Sequence, residues 1–261
     1  MSKDLSDKHA LVCGASSGIG RAAAIALAQR GAAVTALARR TALLEGLLPE
    51  LLDAGASAAQ ALTADLDNRE ELVPVIDSFL ADHGPCHILV NNTGGPHSGP
   101  ILEAEDSDFL IPFGRHILAS HLLVRRLLPG MVEAGYGRIV NVVSISVREP
   151  IPNLGVSNTI RGAMASWAKS VSHELPPGIT INNVLPGFTD TERLGELASA
   201  LHQSTGRSLE DIREEWITPV PEGRLASPHE IGEAIAFLAS PTASYVRGIS
   251  LPVDGGRLRV I

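Results

Sequence analysis

The sequence predicts one α/β domain over residues 1–261, with a doubly wound parallel sheet of about seven strands and helices on both faces. Short apolar runs alternate with helical stretches along the whole chain, which is typical of a parallel sheet covered on both sides. Apolar residues make up 44% of the chain and aromatic residues 3%, so the predicted core is aliphatic. Because no linker or internal repeat divides the chain, we expect a single domain.

Charge and cysteine content narrow the classes of function. The formal net charge of −8 argues against nucleic acid or an anionic membrane as a partner. Cys13 and Cys86 are the only cysteines, which is too few to indicate a disulfide framework or a thiolate metal site. Residues 1–5 lack the apolar stretch of a signal peptide, and no segment has 18 continuous apolar residues. We therefore expect a cytoplasmic protein.

A glycine-rich turn joins the first predicted strand, 9–12, to the first predicted helix, 21–28. In a dinucleotide site, the first glycine permits a tight turn, the second lets the backbone approach a phosphate, and the third lets the helix pack near the strand. The helix N-terminus then presents its N–H groups to the anion. An ordinary strand-to-helix turn is the alternative, and the flanking strand and helix favour the nucleotide. The predicted phosphate-binding residues are Gly14, Ser16, Ser17, Gly18, Ile19 and Gly20.

The second predicted strand, 32–37, is followed by Arg39 and Arg40. In a dinucleotide-binding fold this position meets the adenosine ribose, where an acidic residue binds the 2′-hydroxyl of NAD and an arginine accommodates the 2′-phosphate of NADP. The arginines therefore predict NADP(H) in preference to NAD(H). The alternative is a solvated basic pair at a helix start, which is weakened because cations are unfavourable near a helix N-terminus.

The third predicted strand, 60–64, leads into Asp65 and Leu66. A carboxylate at this strand end would lie on the adenine side of the site. The alternative is that Asp65 caps the helix that begins near Arg69. The residues alone leave both interpretations open.

The rest of the chain continues the alternation of strands and helices. We predict strands at 86–90, 138–143, 179–185 and 248–253, and helices at 42–54, 107–132, 156–175 and 228–239. Residues 188–227 show no strand signals, but they contain many charges and scattered leucines. Because so long a stretch inside a compact domain is usually functional, we expect a partly helical lid over the substrate there.

A polar residue or a glycine lies at the carboxyl end of six of the predicted strands. The carboxyl ends of the strands form the edge at which open α/β sheets bind ligands, so this coincidence predicts a nucleotide site. After the fourth strand, the side-chain amides of Asn91 and Asn92 could tie neighbouring strands together and line a ribose. The residues at these strand ends are Gly14, Arg39, Asp65, Asn91, Ser144 and Gly187.

Nearly the whole chain resembles the short-chain dehydrogenase/reductase family, and within it the 3-oxoacyl-acyl-carrier-protein reductases. The matching motifs are the turn 13–20 with Cys13 in place of the usual Thr, Asp65, Asn91-Asn92-Thr93-Gly94, Ser144, Pro186-Gly187 with Thr191, and Asp254-Gly255-Gly256. The resemblance implies a Rossmann sheet, an NAD(P) site and a homotetramer. With it, the further predicted cofactor contacts are Leu66, Thr93, Gly94, Arg161, Pro186, Thr189 and Thr191.

The catalytic residues of that family are only partly present. Ser144 matches the active-site serine, but Ser157 and Arg161 stand where the family has its Tyr and Lys. His116 stands where the family has an Asn on the helix before the fifth strand. Neither of the two tyrosines in the chain has a lysine four residues later, so no shifted copy restores the motif.

These replacements change the acid–base chemistry that is available. Hydride delivered to a ketone leaves an alkoxide that needs a proton, and a serine hydroxyl is a much weaker acid than a tyrosine whose pKa a neighbouring cation lowers. Arg161 stays protonated, so it could hold ribose hydroxyls and supply positive charge. Among the four residues, His116 is the one suited to proton transfer near neutral pH. The alternatives are a surface or interface histidine, and structural hydrogen bonding for the two serines.

Three functions remain open. The first is an NADP(H)-dependent oxidoreductase that acts on a small carbonyl compound or alcohol through a rebuilt proton path. The second is an enzyme without net redox chemistry that uses His116 and Ser144 for elimination or isomerisation. The third is a nucleotide-binding homologue without catalysis. The fold alone does not decide among them.

Overall fold

A computed structural model describes residues 3–260 and contains a seven-stranded, all-parallel sheet. The strands are β1 (His9–Cys13), β2 (Ala33–Ala38), β3 (Ala59–Thr63), β4 (Ile88–Asn91), β5 (Gly137–Val142), β6 (Ile179–Pro186) and β7 (Ser250–Val253). Their order across the sheet is β3-β2-β1-β4-β5-β6-β7. The predicted fold class is therefore confirmed.

Nine α-helices lie within the described residues. They are α1 (Gly18–Gln29), α2 (Thr41–Ala54), α3 (Arg69–His83), α4 (Asp106–Phe113), α5 (Ala119–Glu133), α6 (Gly155–Glu174), α7 (Glu192–Thr205), α8 (Leu209–Ile217) and α9 (Pro228–Ala239). Between residues 3 and 260, no helix is long and apolar enough to cross a membrane.

The predicted helix 107–132 is interrupted. The chain ends α4 at Phe113, makes a π-helical turn over Gly114–Leu118, and then starts α5. The Cβ position of Gly114 lies 2.8 Å from a guanidinium nitrogen of Arg69, so the π-helical turn brings the chain close to the side chain at the start of α3. A second correction concerns β7, which begins at Ser250 instead of the predicted 248.

Alternate residues of β1 face the two hydrophobic layers. Ala10 and Val12 belong to the layer formed with α1, α2 and α9, whereas Leu11 and Cys13 belong to the layer formed with α3, α5 and α6. All four side chains are fully buried. This period of two is the pattern of a strand that is covered on both faces, and it leaves the carboxyl edge of the sheet free for a site.

A row of buried side chains crosses the sheet near that edge. Asn91 donates to Asn141 at 2.8 Å, Asn141 donates to Asn183 at 2.9 Å, and Asn183 donates to the Ser250 hydroxyl at 3.1 Å. These residues are also backbone register partners in β4, β5, β6 and β7. The row ties the carboxyl ends of β4 and β5 to the middle of β6 and to the start of β7, so the loops that leave β4 and β5 start from a rigid base.

Residues 188–227 contain α7 and α8, which pack on each other through a small hydrophobic cluster that includes Ile212 and Trp216. A bridge between Thr189 and Ala226 closes the base of this segment. Its ends are therefore anchored to the sheet edge, and its helical content agrees with the sequence prediction.

Candidate active site

A cavity of about 680 Å³ lies at the carboxyl edge of the sheet. That volume is within the range of small-molecule and cofactor sites. Its wall brings together all but three of the predicted site residues: Gly14, Ser16, Ser17, Gly18, Ile19, Arg39, Arg40, Asp65, Leu66, Thr93, Gly94, Ser144, Ser157, Arg161, Pro186, Gly187, Thr189 and Thr191. The three predicted residues outside the wall are Gly20, Asn91 and His116.

The glycine turn has the geometry of a cradle for an anion. Gly14 has φ +62° and Gly18 has φ +54°, a region that L side chains rarely adopt. A Cβ atom at Gly14 would lie 2.6 Å from Asn92 Nδ2, and one at Gly20 would collide with the Gly14 carbonyl oxygen. The side chain of Ser17, the N-cap of α1, makes no capping hydrogen bond. The N-terminal amides of α1 are therefore free to bind a dinucleotide pyrophosphate, and the turn fits that group.

Two arginines form the end of the cavity beside β2. Arg40 donates hydrogen bonds to the hydroxyls of Ser16 at 3.0 Å and Ser17 at 2.8 Å. The guanidinium of Arg39 lies 3.9 Å from a carboxylate oxygen of Asp65, and its side chain is 68% exposed. Arg40 is also the N-cap of α2, where a cation is unfavourable without an anionic partner. This end of the cavity therefore suits a phosphate group.

Asp65 does not cap the next helix. The N-cap of α3 is Asn68, whose side chain accepts a hydrogen bond from the Glu71 amide at 3.3 Å. Asp65 instead accepts from the Asp67 amide at 3.0 Å and lines the cavity. The capping alternative is therefore wrong.

The two neighbouring asparagines after β4 have different positions. Asn91 belongs to the buried row across the sheet, which confirms that it ties strands together, and it does not line the main cavity. Asn92, the second amide of the same motif, does line the cavity and donates to the Cys13 carbonyl at 3.3 Å. The sequence analysis suggested that these two amides could line a ribose, but it did not include Asn92 among the predicted site residues.

His116 lies in the π-helical turn, behind the main cavity. Its side chain is buried, and its Nε2 has no hydrogen-bond partner within the described residues. Burial, followed by the charges of Arg161 and Arg115, holds its pKa well below 6.5. The interpretation of His116 as a surface histidine is therefore wrong. Together with Asn91 and Ser120 it lines a second cavity of about 10 Å³, close to the space that one water molecule occupies.

Ser144, Ser157 and Arg161 all line the main cavity, at the end beside β5 and α6, which we call the inner end. The Ser144 hydroxyl accepts from the Ser146 amide at 3.1 Å, which leaves its proton available for another acceptor. Ser157 and Arg161 are four residues apart on α6, which places them on one face of the helix. Arg161 Nη1 donates to the Val142 carbonyl at 2.9 Å, and burial lowers the pKa of Arg161 to about 10.

His97 also lines this cavity, and the sequence analysis missed it. The loop that carries it is held at Gly99, which donates to the Asn153 carbonyl at 2.8 Å, and it passes close to Arg161 at Gly95, where a Cβ atom would lie 3.4 Å from Arg161 Nη2. His97 lies between these contacts, over the first turns of α6. No sequence signal identifies it, because its position depends on the tertiary contact at Gly99.

This arrangement provides hydrogen-bond donors, a half-buried cation and an imidazole in the wall of one cavity, together with a glycine turn that is shaped to hold an anion. A hydroxyl pair can bind an oxygen atom of a substrate, whereas an imidazole can act as a proton donor or acceptor. Among residues 3–260, the cavity contains no tyrosine.

Residues 14–257 match the family model described as enoyl-(acyl carrier protein) reductase. The chain is 33% identical over 256 residues to a 3-oxoacyl-acyl-carrier-protein reductase of Vibrio cholerae, with 97% of this chain and 98% of the relative covered. It is 34% identical over 265 residues to a cis-4-hydroxycyclohexanecarboxylate dehydrogenase of Sinomonas cyclohexanicum, with 98% of each chain covered.

Solved structures of similar shape include L-sorbose reductase from Gluconobacter frateurii, which was crystallised with NADPH and L-sorbose. It superposes with a TM-score of 0.93 at 29% sequence identity, and all of both chains is covered. The similarity therefore extends across the sheet, the cavity and the segment 188–227.

Proposed function

Because the chain belongs to the short-chain dehydrogenase/reductase family and is an oxidoreductase of that type, we propose that it interconverts a small carbonyl compound and its alcohol with NADP(H) in preference to NAD(H). The observation that supports this most is the pair Arg39 and Arg40 in the cavity wall beside the phosphate-binding turn. When bound, a nicotinamide dinucleotide supplies or accepts the hydride.

The preference for NADP(H) is supported by charge. A guanidinium forms strong, often bidentate, hydrogen bonds with a phosphate dianion, whereas NAD has no phosphate at the 2′ position. The acid paired with Arg39 is Asp65, at 3.9 Å, and it follows β3, whereas the acidic residue that binds the ribose of NAD would follow β2. Arg39 and Arg40 would hold the 2′-phosphate, and the turn 14–20 would hold the pyrophosphate.

At the reacting end, we assign the binding of the substrate oxygen to the hydroxyls of Ser144 and Ser157. Both would donate hydrogen bonds to a carbonyl oxygen and stabilise the negative charge that develops on it during reduction. Arg161 would hold the nicotinamide ribose and add a fixed positive charge to the local field. Neither serine is a strong enough acid to complete the reaction alone, so the proton must come from another group.

Two histidines are candidates for that proton transfer. His116 occupies the family's Asn position, and its unpartnered Nε2 borders a space for about one water, which favours a relay role for a neutral imidazole. His97 is in the cavity wall itself, so it could reach the substrate directly. The variants His116→Gln and His97→Gln distinguish the two, because only loss of the true donor should lower kcat by about 10² to 10⁴.

We further propose that residues 188–227 form a lid over the substrate and that the protein is a homotetramer in the cytoplasm. Two separate apolar surfaces support the assembly. Leu102, before α4, and Leu110, in α4, are 97% and 69% exposed; Phe237, in α9, and Tyr245, between α9 and β7, are 41% and 102% exposed. Two such surfaces suit the two interfaces of a tetramer with dihedral symmetry. A monomer in sedimentation experiments at micromolar concentration would contradict this assignment.

The test of the proposed function is a binding titration with NADPH, followed by a panel of carbonyl compounds and alcohols monitored at the nicotinamide absorbance. Binding with oxidation of NADPH supports the proposal. Conversion of a compound without a change in absorbance would support elimination or isomerisation instead. Binding without any conversion would support a nucleotide-binding protein without catalysis.

A further inference from the structure

Five arginines line the cavity wall, and within residues 3–260 two of them, Arg40 beside the glycine turn and Arg161 on α6, have no acidic partner. Arg115 binds Asp67 at 2.5 Å, Arg193 binds Glu196 at 3.2 Å, and Arg39 approaches Asp65 at 3.9 Å. Within residues 3–260, the one hydrogen bond that the Arg161 guanidinium donates goes to a neutral backbone carbonyl, and burial alone shifts its pKa. The inner end of the cavity therefore carries a cation whose charge is not compensated.

The neighbours of Arg161 do not supply the missing negative charge. His116 can only add positive charge, and its lowered pKa keeps it neutral at pH 7. The charge of Arg115 is already balanced by Asp67. Removing a cation from water is costly unless an anion or several hydrogen bonds replace the solvent, so this end of the cavity is electrostatically complementary to an anionic ligand.

The Arg161 guanidinium also has more N–H donors than its hydrogen bond to the protein uses. It carries five N–H groups in a planar fork, and one of its nitrogens, Nη1, binds the Val142 carbonyl. Its Nη2 faces the loop at Gly95, where the absence of a side chain leaves room. The remaining donors suffice for a ribose hydroxyl and for a carboxylate, which such a fork binds with two parallel hydrogen bonds.

From these observations we infer that the substrate is an oxo or hydroxy carboxylate and that Arg161 binds its carboxylate group. This inference rests on the proposed function and names the substrate class for it. The Cβ atoms of Ser157 and Arg161 are about 5–6 Å apart, as residues four apart on a helix are. Because the arginine side chain is long, its guanidinium could hold the carboxylate of either a 2-oxo or a 3-oxo acid whose carbonyl oxygen lies at Ser157.

The overall reaction balances without another reagent. In the direction of reduction, the carbonyl carbon of the oxo acid gains a hydride from the nicotinamide, and its oxygen gains a proton that is ultimately drawn from solvent. One oxo acid, one NADPH and one proton thus give one hydroxy acid and one NADP⁺. A thioester of the same acid lacks the carboxylate, so it should be a poor substrate, in contrast to what the name of the Vibrio cholerae relative describes.

The test compares 2-oxo and 3-oxo acids with their methyl esters, which have the same carbonyl group but no charge. Calorimetric titration of the NADP⁺-loaded protein measures binding, and absorbance measures turnover. We expect each accepted acid to bind at least about 10-fold more tightly than its ester, since hydrogen bonds to charged groups account for such a difference. Arg161→Gln should abolish this preference for the acid, and Arg161→Lys should retain part of it because lysine keeps the charge without the fork.

Arg193→Gln is the matched control, because Arg193 lines the same cavity but is already paired with Glu196. It should leave the ratio of acid to ester affinity unchanged. If Arg161→Gln does not fold, as judged by thermal unfolding, the ratio of acid to ester affinity in the wild-type protein and in Arg161→Lys decides the test.

Esters or thioesters that bind and react as well as the free acids would overturn the inference, and so would a panel in which no acid binds to a protein that does bind NADPH. Failure of the wild-type protein to bind NADPH would instead overturn the proposed function. The two failures are thus distinguishable.

Discussion

The two ends of the cavity differ in how closely they follow the family. At the end beside β1 and β2, the glycine turn and the polar strand ends match the family motifs with one change, Cys13. At the end beside β5 and α6, one of the four family catalytic residues, Ser144, is retained. The difference teaches that a fold can keep the backbone that shapes a nucleotide site while the side chains at the proposed reacting end change.

The largest effect should come from the reacting end. If His116 or His97 exchanges the proton, its replacement by glutamine should lower kcat by about 10² to 10⁴ while NADPH affinity stays level. Kinetics from pH 5 to 9 with an accepted substrate provide the measurement. His173→Gln is the matched control, because His173 is exposed in the last turn of α6. Full activity in both test variants would remove the two histidines from the mechanism.

The second prediction concerns the glycine turn at the end of the cavity beside β1 and β2. Gly14→Ala should destabilise the fold by about 1–3 kcal/mol, because the added methyl group meets Asn92 and the backbone has a positive φ. It should also weaken NADPH binding strongly, since the turn can no longer hold its shape. Urea unfolding and a fluorescence titration measure the two effects.

The control for that prediction is Gly46→Ala. Gly46 lies within α2, and nothing is within 4 Å of the Cβ position, so alanine should stabilise the helix by about 1 kcal/mol. If both variants behaved alike, the crowding at Gly14 would not be the cause of its effect.

A feature of the cavity can be predicted from the sequence when it depends on residues that are close together along the chain, and not when it depends on contacts between distant residues. The glycine turn and Arg40 depend on residues that are neighbours along the chain, so local pattern finds them. His97 needs the contact between Gly99 and Asn153, and the burial of His116 needs the π-helical turn, which no periodicity predicts. Asn91 and Asn92 are adjacent, but one faces the row across the sheet and the other the cavity; only the strand geometry separates them.

The third prediction sharpens the assignment of the cofactor. Arg39→Asp should reverse the preference from NADPH to NADH, because a carboxylate repels the 2′-phosphate and accepts a hydrogen bond from a 2′-hydroxyl. We expect a change in the ratio of the two dissociation constants of about 10-fold or more. Arg126→Asp on α5, remote from the cavity wall, should leave the ratio as it is. An unchanged ratio in Arg39→Asp would assign the preference to Arg40 alone.

The smallest effect concerns the opposite edge of the sheet. Burial lowers the pKa of His9 to about 4, and burial also lowers that of His87. Both imidazoles bind protons more readily in the unfolded chain, so stability is complete above pH 6.5 and is lost as the pH falls from 6.5 towards 4. For His9 the loss should be about 1–3 kcal/mol, measured by urea unfolding across this range. His9→Gln should flatten the profile, and an unaltered slope would contradict the assignment.

The central claim is that the end of the cavity beside β1 and β2 binds NADP(H) in preference to NAD(H). The most direct test is a fluorescence titration of the wild-type protein with NADPH and with NADH under the same conditions. The predicted result is a dissociation constant for NADPH at least about 10-fold lower, because the 2′-phosphate adds charge-assisted hydrogen bonds to Arg39 and Arg40. Equal affinity, or tighter binding of NADH, would contradict it.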